Sequence, residues 1–124
     1  MPRAIRITVG DAVLNAELND SRTAQSVWEA LPLACEFNTW GDEIYFSIPV
    51  EIGPEDAQAT VQKGDLAYWP PGHAFCIFYG RTPASAGDEI RPASPVNPLG
   101  RVLDEVTILK KAVAKAEQIK IEKV

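Results

Sequence analysis

The chain has 124 residues, of which 46% are hydrophobic, and a formal net charge of −5. This length predicts one domain over residues 1–124, and this apolar content excludes a disordered chain. Nucleic-acid binding depends on basic side chains that neutralise phosphates, so we expect no nucleic-acid partner for an acidic chain. No stretch approaches the roughly 18 apolar residues of a membrane helix, and the N-terminus lacks a signal-peptide pattern. We therefore expect a cytoplasmic protein with no membrane partner.

A hairpin and a helix are predicted first. Residues 3–9 and 12–18 alternate apolar and polar side chains around Gly10-Asp11, which is typical of two strands joined by a tight turn. Apolar side chains then recur at helical spacing and predict a helix over 22–31 that ends before Pro32. They are Ala24, Val27, Trp28 and Leu31.

The middle of the chain alternates in short strands. They are predicted over 33–37, 44–48, 66–70 and 74–79, with a further short strand over 59–62. Residues 74–79 are apolar on both faces, which indicates a strand that is covered on both sides.

The segment 81–100 is predicted to be a long irregular excursion with one short strand near Glu89 and Ile90. It holds four prolines and two glycines: Pro83, Pro92, Pro95, Pro98, Gly87 and Gly100. A loop of this length is unusual in a compact domain and is often functional, so we expect it to form the rim of a site. A strand near 100–103, a helix spaced on Leu103, Val106, Leu109 and Val113, and a last strand around Ile119 and Ile121 follow.

Three segments carry a resemblance to a known family. They read WGDEIYFSIP at 40–49, GDLAYWPPG at 64–72 and FYGRTP at 78–83. Together with the order of elements, they resemble a family of small prokaryotic proteins of unknown function with a cyclophilin-like barrel. The resemblance implies an all-β fold, a closed antiparallel eight-stranded barrel with two short capping helices. We expect Trp28 to plug one end of that barrel.

The resemblance does not imply prolyl isomerase activity. Cyclophilins that isomerise prolyl bonds carry an aromatic-His-Arg triplet, whose arginine donates to the substrate amide. This chain has no such triplet, and Arg81, which follows Phe78-Tyr79-Gly80, comes closest. We therefore predict a non-catalytic binding module. A prolyl isomerase with a non-standard arginine and a structural or assembly protein remain as alternatives, and the oligomeric state stays open.

A cleft that holds an extended peptide or a small molecule is the predicted site. Its predicted residues are Tyr45, Ser47, Tyr68, Trp69, His73, Arg81 and Thr82. The corner over 70–72 is stiff, and the fork of donors on an arginine suits a carboxylate or a peptide carbonyl. The alternative is that these aromatic residues are interior and that Arg81 is a surface residue paired with an acid.

Metal and cofactor chemistry find little support in the sequence. His73 is the single histidine, whereas zinc sites use three or four ligands. The chain has no P-loop, dinucleotide fingerprint or nucleophile elbow, so we expect no metal and no cofactor. Cys35 and Cys76 lie in apolar runs and are predicted to be buried thiols, although spacing does not exclude a disulfide between them.

Overall fold

The computed structural model describes residues 3–124, which form a single antiparallel sheet of nine strands with two short helices. The elements in chain order are β1 (Arg3–Val9), β2 (Ala12–Leu18), α1 (Arg22–Ala30), β3 (Leu33–Glu36), β4 (Asn38–Thr39), β5 (Glu43–Ser47), β6 (Asp65–Trp69), β7 (Ala74–Phe78), β8 (Asn97–Val102), α2 (Leu109–Lys115) and β9 (Gln118–Lys123). No helix in this part of the chain is long and apolar enough to cross a membrane.

The sheet curls into a nearly closed barrel, as the sequence predicts. The strand order is β3-β9-β1-β2-β8-β6-β7-β5-β4. Its two end strands, β3 and β4, follow one another in the chain and are linked through Phe37. The predicted strand over 33–37 is β3, and the extra strand β4 lies just beyond it, which gives nine strands where the resemblance implied eight.

The first hairpin is confirmed with its full register, from Arg3 opposite Leu18 to Val9 opposite Ala12. Gly10 occupies the turn at φ +58°, a left-handed conformation that glycine adopts without steric cost. Alternation places Ile5 and Ile7 in the interior, where both are fully buried.

Helix α1 begins where its cap predicts and ends one residue earlier than expected. The Ser21 hydroxyl accepts a hydrogen bond from the Ala24 backbone N–H at 3.1 Å. Trp28 is half-buried and packs against the core, so its predicted role as a plug of the barrel end stays a prediction. Ala24 and Val27 fill the side of the helix that faces the core, and Lys123 and Arg3 lie over the indole ring at 4.8 and 5.8 Å from its centroid.

Three further predictions need correction. The strands expected over 59–62 and near Glu89 are reduced to one isolated bridge between Val61 and Ile90. Helix α2 begins only at Leu109, because the β-branched run 106–108 forms a 3-10 turn instead. Strand β8 begins earlier than expected and includes Pro98. A register shift opposite Leu66 and Ala67 accommodates this proline within the sheet.

Two separate apolar clusters pack against the barrel wall. The inner core fills the barrel and includes Leu66, Tyr68, Phe75 and Ile77. The outer cluster lies on the opposite face of β6 and β7, and its buried members are Ala67, Ala74, Cys76, Phe78, Ile90 and Val96. Residues 81–96, which we call the strap, cross this face and cover it. Every residue of β7 is consequently buried, which confirms the prediction of a strand covered on both sides.

Candidate functional site

A cavity of about 270 Å³ opens at the edge of the outer cluster, between the barrel wall and the strap. We call it the aromatic pocket. It is lined by Trp40, Glu43, Tyr45, Trp69, Pro92, Ala93 and Val96. Alternation along β5 buries Ile44 and Phe46 in the inner core and directs the intervening residues to this outer face. The strap supplies the opposite wall.

The Trp69 ring is held by contacts on two sides. Its indole N–H donates to the Ser94 hydroxyl oxygen at 2.7 Å, which ties the barrel wall to the strap. A Cβ at Gly72 would approach the Trp69 ring to 2.7 Å, so the corner at 70–72 lies flat against the indole only because this residue is glycine. The fold itself therefore holds the ring in place.

Glu43 contributes the carboxyl group of the pocket. The residue is only 6% exposed. Desolvation by burial raises its pKa to about 7, and a hydrogen bond from the Cys76 thiol opposes that shift. Burial, together with the nearby Glu43 charge, raises the pKa of the Cys76 thiol well above its usual value. No arginine or lysine lines the pocket, so within the described chain the lining gives this carboxyl no cationic partner.

Sequence reasoning missed Glu43 because the strand predicted over 44–48 begins one residue after it. The structure extends β5 back to Glu43 and pairs it with Phe78 of β7. The available signal was its period of two with Tyr45, a predicted site residue. An acid that continues the outward register of a strand into an apolar sequence is a candidate for a buried charge.

Tyr45 and Trp69 are the two predicted site residues that the structure brings together in the aromatic pocket. Ser47 lies further along β5, is exposed, and donates its hydroxyl to the Gly72 carbonyl oxygen at 3.1 Å. His73 is also exposed and lines a different depression.

This second depression, which we call the proline groove, is wide and open, with a volume of about 860 Å³. It is lined by Glu51, Ile52, Gly53, Pro54, Ala57, Pro70, Pro71, His73, Ser94 and Pro95. Ser94 lines this groove and accepts a hydrogen bond from the indole of Trp69, which lines the aromatic pocket. His73 enters the groove from a left-handed backbone conformation at φ +48°.

Tyr68, Thr82 and Arg81 are corrections to the predicted cleft. Strand alternation turns Tyr68 into the barrel, where it is fully buried and donates its hydroxyl to the Val50 carbonyl oxygen. Thr82 is buried and donates to the Arg91 carbonyl within the strap. Arg81 is exposed, donates to the Ser85 carbonyl oxygen at 3.3 Å and does not line the aromatic pocket. The residues of the predicted single cleft are therefore distributed among two depressions, the barrel interior and the strap.

The cysteines and the titratable side chains of the described residues show no metal-binding arrangement. Cys35 is half-buried on β3, Cys76 is buried on β7, and both are free thiols. Within residues 3–124, no group of three or more His, Cys, Asp and Glu side chains could hold a metal ion.

Comparison with known proteins agrees with this architecture. Residues 3–122 match the model of a family described as cyclophilin-like. Among solved structures, the chain is similar to the solution structure of a hypothetical protein from Archaeoglobus fulgidus. The two are 37% identical, the match covers 99% of this chain and 95% of the other, and the TM-score is 0.79. No curated protein matches the chain.

Proposed function

The chain belongs to the cyclophilin-like family, and on that premise we propose that it is a binding module whose aromatic pocket holds a small molecule or one side chain of an extended peptide. The observation that carries this proposal is the grouping of Trp40, Tyr45 and Trp69 around one cavity, each partly exposed. Tyrosine and tryptophan suit such positions because one end of the ring is apolar and the other tolerates water.

The dimensions of the two depressions support this division of the ligand. The aromatic pocket, at about 270 Å³, falls just below the range of roughly 300–1,000 Å³ usual for small-molecule sites. It therefore suits a side chain or a small head group. The open proline groove beyond Ser94 offers an adjoining surface along which the rest of a peptide extends. The proline-rich corner is stiff, which lowers the entropy lost on binding.

Binding is favoured over prolyl isomerisation by the composition of the lining. The pocket contains no arginine to donate to a substrate amide, and Arg81 is engaged with the Ser85 carbonyl outside it. The uncatalysed barrier to isomerisation is about 18–20 kcal/mol, so a catalyst of this type needs a well-placed donor.

Tryptophan fluorescence tests the proposal directly. The chain has three tryptophans, so a Trp28→Phe variant retains indoles only at the pocket. This variant is titrated with short capped peptides of the form Gly-Xaa-Pro-Gly, in which Xaa is varied. We expect a saturable change in emission with a subset of these peptides, and no catalysis of their cis/trans exchange.

Two further variants, made in the Trp28→Phe background, provide the comparison. Tyr45→Ala removes a pocket ring while leaving both indoles, and should weaken peptide binding. Leu103→Ala alters an exposed side chain that lies outside the lining and should leave binding unchanged. A response of equal size and midpoint in all variants would show that the peptides do not occupy the pocket, and the proposal would then be withdrawn.

A further inference from the structure

The binding function proposed above assigns no role to the buried carboxyl group of Glu43. We infer that the ligand group that enters the aromatic pocket is an organic cation, a primary or methylated ammonium, with Glu43 as its counter-ion. This inference rests on the binding function proposed above and deepens it by assigning the charge of the ligand.

Burial of Glu43 places a carboxyl group in the pocket without a positive charge among the described lining residues to compensate it. A carboxylate removed from water is costly unless an opposite charge and hydrogen bonds compensate it. Here the residue is 6% exposed, and the Cys76 thiol is the polar side chain that acts on its carboxyl. The pocket that Glu43 lines is bordered by members of the apolar outer cluster such as Val96 and Trp69. A cationic ligand provides the missing compensation.

The charged groups near the pocket are committed elsewhere. On the strap, the Arg91 guanidinium Nε lies 2.7 Å from the Glu89 carboxylate. Beside β5, Lys110 lies 3.6 Å from the Asp42 carboxylate. On β6, Asp65 shares the outer face, and its carboxylate accepts a hydrogen bond from the Gln62 backbone N–H at 2.8 Å. These pairings leave no side-chain cation in the lining to neutralise Glu43.

The aromatic rings of the pocket also favour a cationic ligand. The faces of tryptophan and tyrosine rings carry negative potential and attract cations, and aromatic cages of this composition recognise quaternary ammonium groups. Trp40, Tyr45 and Trp69 supply three such rings to the pocket that Glu43 also lines. An anionic ligand would be repelled by Glu43, and a neutral ligand would leave it unpaired. The pocket volume of about 270 Å³ limits the cation to a small head group or one side chain.

Two probe pairs test the charge of the ligand while holding its shape nearly constant. Choline is compared with 3,3-dimethylbutan-1-ol, its neutral carbon analogue, and the peptide Gly-Lys-Pro-Gly is compared with its norleucine counterpart. Emission of the Trp28→Phe protein is the readout. We expect the cationic member of each pair to bind about tenfold or more tightly than the neutral one.

Glu43→Gln, in the same Trp28→Phe background, keeps the shape of the side chain and removes its charge. We expect it to lower the affinity for choline about tenfold while leaving the affinity for the neutral alcohol unchanged. Glu36→Gln, which removes an exposed acid outside the pocket lining and, among the described residues, frees no cation, is the matched control and should alter neither. Choline binding should also strengthen as pH rises through about 7, where Glu43 ionises, and this dependence should disappear in Glu43→Gln.

The outcomes separate this inference from the function beneath it. Equal affinity for the charged and neutral members of both pairs, or choline binding that Glu43→Gln leaves intact, would refute a cationic ligand while preserving a binding pocket. Absence of binding by both pairs and by the wider peptide series would refute both proposals. Binding of neutral peptides alone would refute the inference about charge and support the binding function.

Discussion

The inner core and the outer cluster use the two faces of the same strands in different ways. Inside the barrel, large side chains interlock: Phe46 and Phe75 stack with centroids 5.4 Å apart, and the Tyr68 hydroxyl is bonded to the chain. Outside, β6 and β7 present small residues such as Ala67 and Ala74 beneath an irregular strap. The inner face is therefore closed by packing, whereas the outer face leaves room for a pocket. The same sheet thus packs a core on one side and borders the pocket of the proposed function on the other.

Cavity-creating substitutions, one on each face of the sheet, test this difference most directly. Phe75→Ala in the inner core should lower the free energy of unfolding by about 3–5 kcal/mol, because the residue is fully buried and stacked. Val96→Ala in the outer cluster should cost about 1–2 kcal/mol, since it removes fewer buried methyl groups. Urea denaturation measures both values. Equal losses would show that the outer cluster is as tightly packed as the inner core.

The pH dependence of the free energy of unfolding tests the outer face separately from the inner core. The pKa of Glu43 is about 7 in the folded protein and about 4.5 when unfolded, so the folded state binds the extra proton between these values. Stability should therefore be greatest below about pH 4.5 with respect to this group and fall by about 2–3 kcal/mol as pH rises through 7. Glu43→Gln should remove that component. An unchanged pH profile in the variant would contradict the desolvated state of the carboxyl.

Trp28 probes the boundary of the inner core. Because the ring is half-buried, we expect Trp28→Ala to cost about 1–2 kcal/mol, less than the 3–5 kcal/mol typical of a buried aromatic residue. Thermal and urea denaturation provide the measurement. Trp28→Phe should cost less still. A loss as large as that of Phe75→Ala would return Trp28 to the interior of the core.

Ser94→Ala should have the smallest effect on stability and a specific effect on the pocket. Loss of the hydrogen bond to the Trp69 indole should cost about 1 kcal/mol or less and leave the ring free to reorient, which would shift its emission. Ser47→Ala removes a comparable hydroxyl whose partner is the Gly72 carbonyl, and it is the control. Identical spectra for the two variants would show that Ser94 does not position the ring.

Elements with a regular period were predictable because their side-chain pattern is local. The alternation in 3–9 and 12–18 determines both strands and, through Gly10, the register between them. Predictions were less accurate where distant parts of the chain decide the outcome. Pro98 indicated a loop, yet it lies in β8, where a register shift between β8 and β6 accommodates it. Residues 106–108 were predicted to begin an α-helix, but they form a 3-10 turn.

The candidate site was predictable only in part for the same reason. The sequence selects Tyr45 and Trp69 as aromatic residues on strand faces, and the structure places them together. Alternation alone could have excluded Tyr68, which is adjacent to Trp69 on the same strand and must face the other way. By contrast, the burial of Glu43 depends on the strap, which is far away in sequence and has no periodic pattern to reveal where it crosses the wall.

The identity of the two edge strands affects whether copies of this chain can pair with one another through their sheets. Unpaired strand edges invite another chain to add its own strand, which is a common route to aggregation. In the described part of the chain, the edges belong to β3 and β4, which have four and two residues and are the shortest strands present. So few exposed backbone groups form a poor template for intermolecular pairing. Placing the shortest strands at the seam thus protects the sheet against growing beyond its own chain.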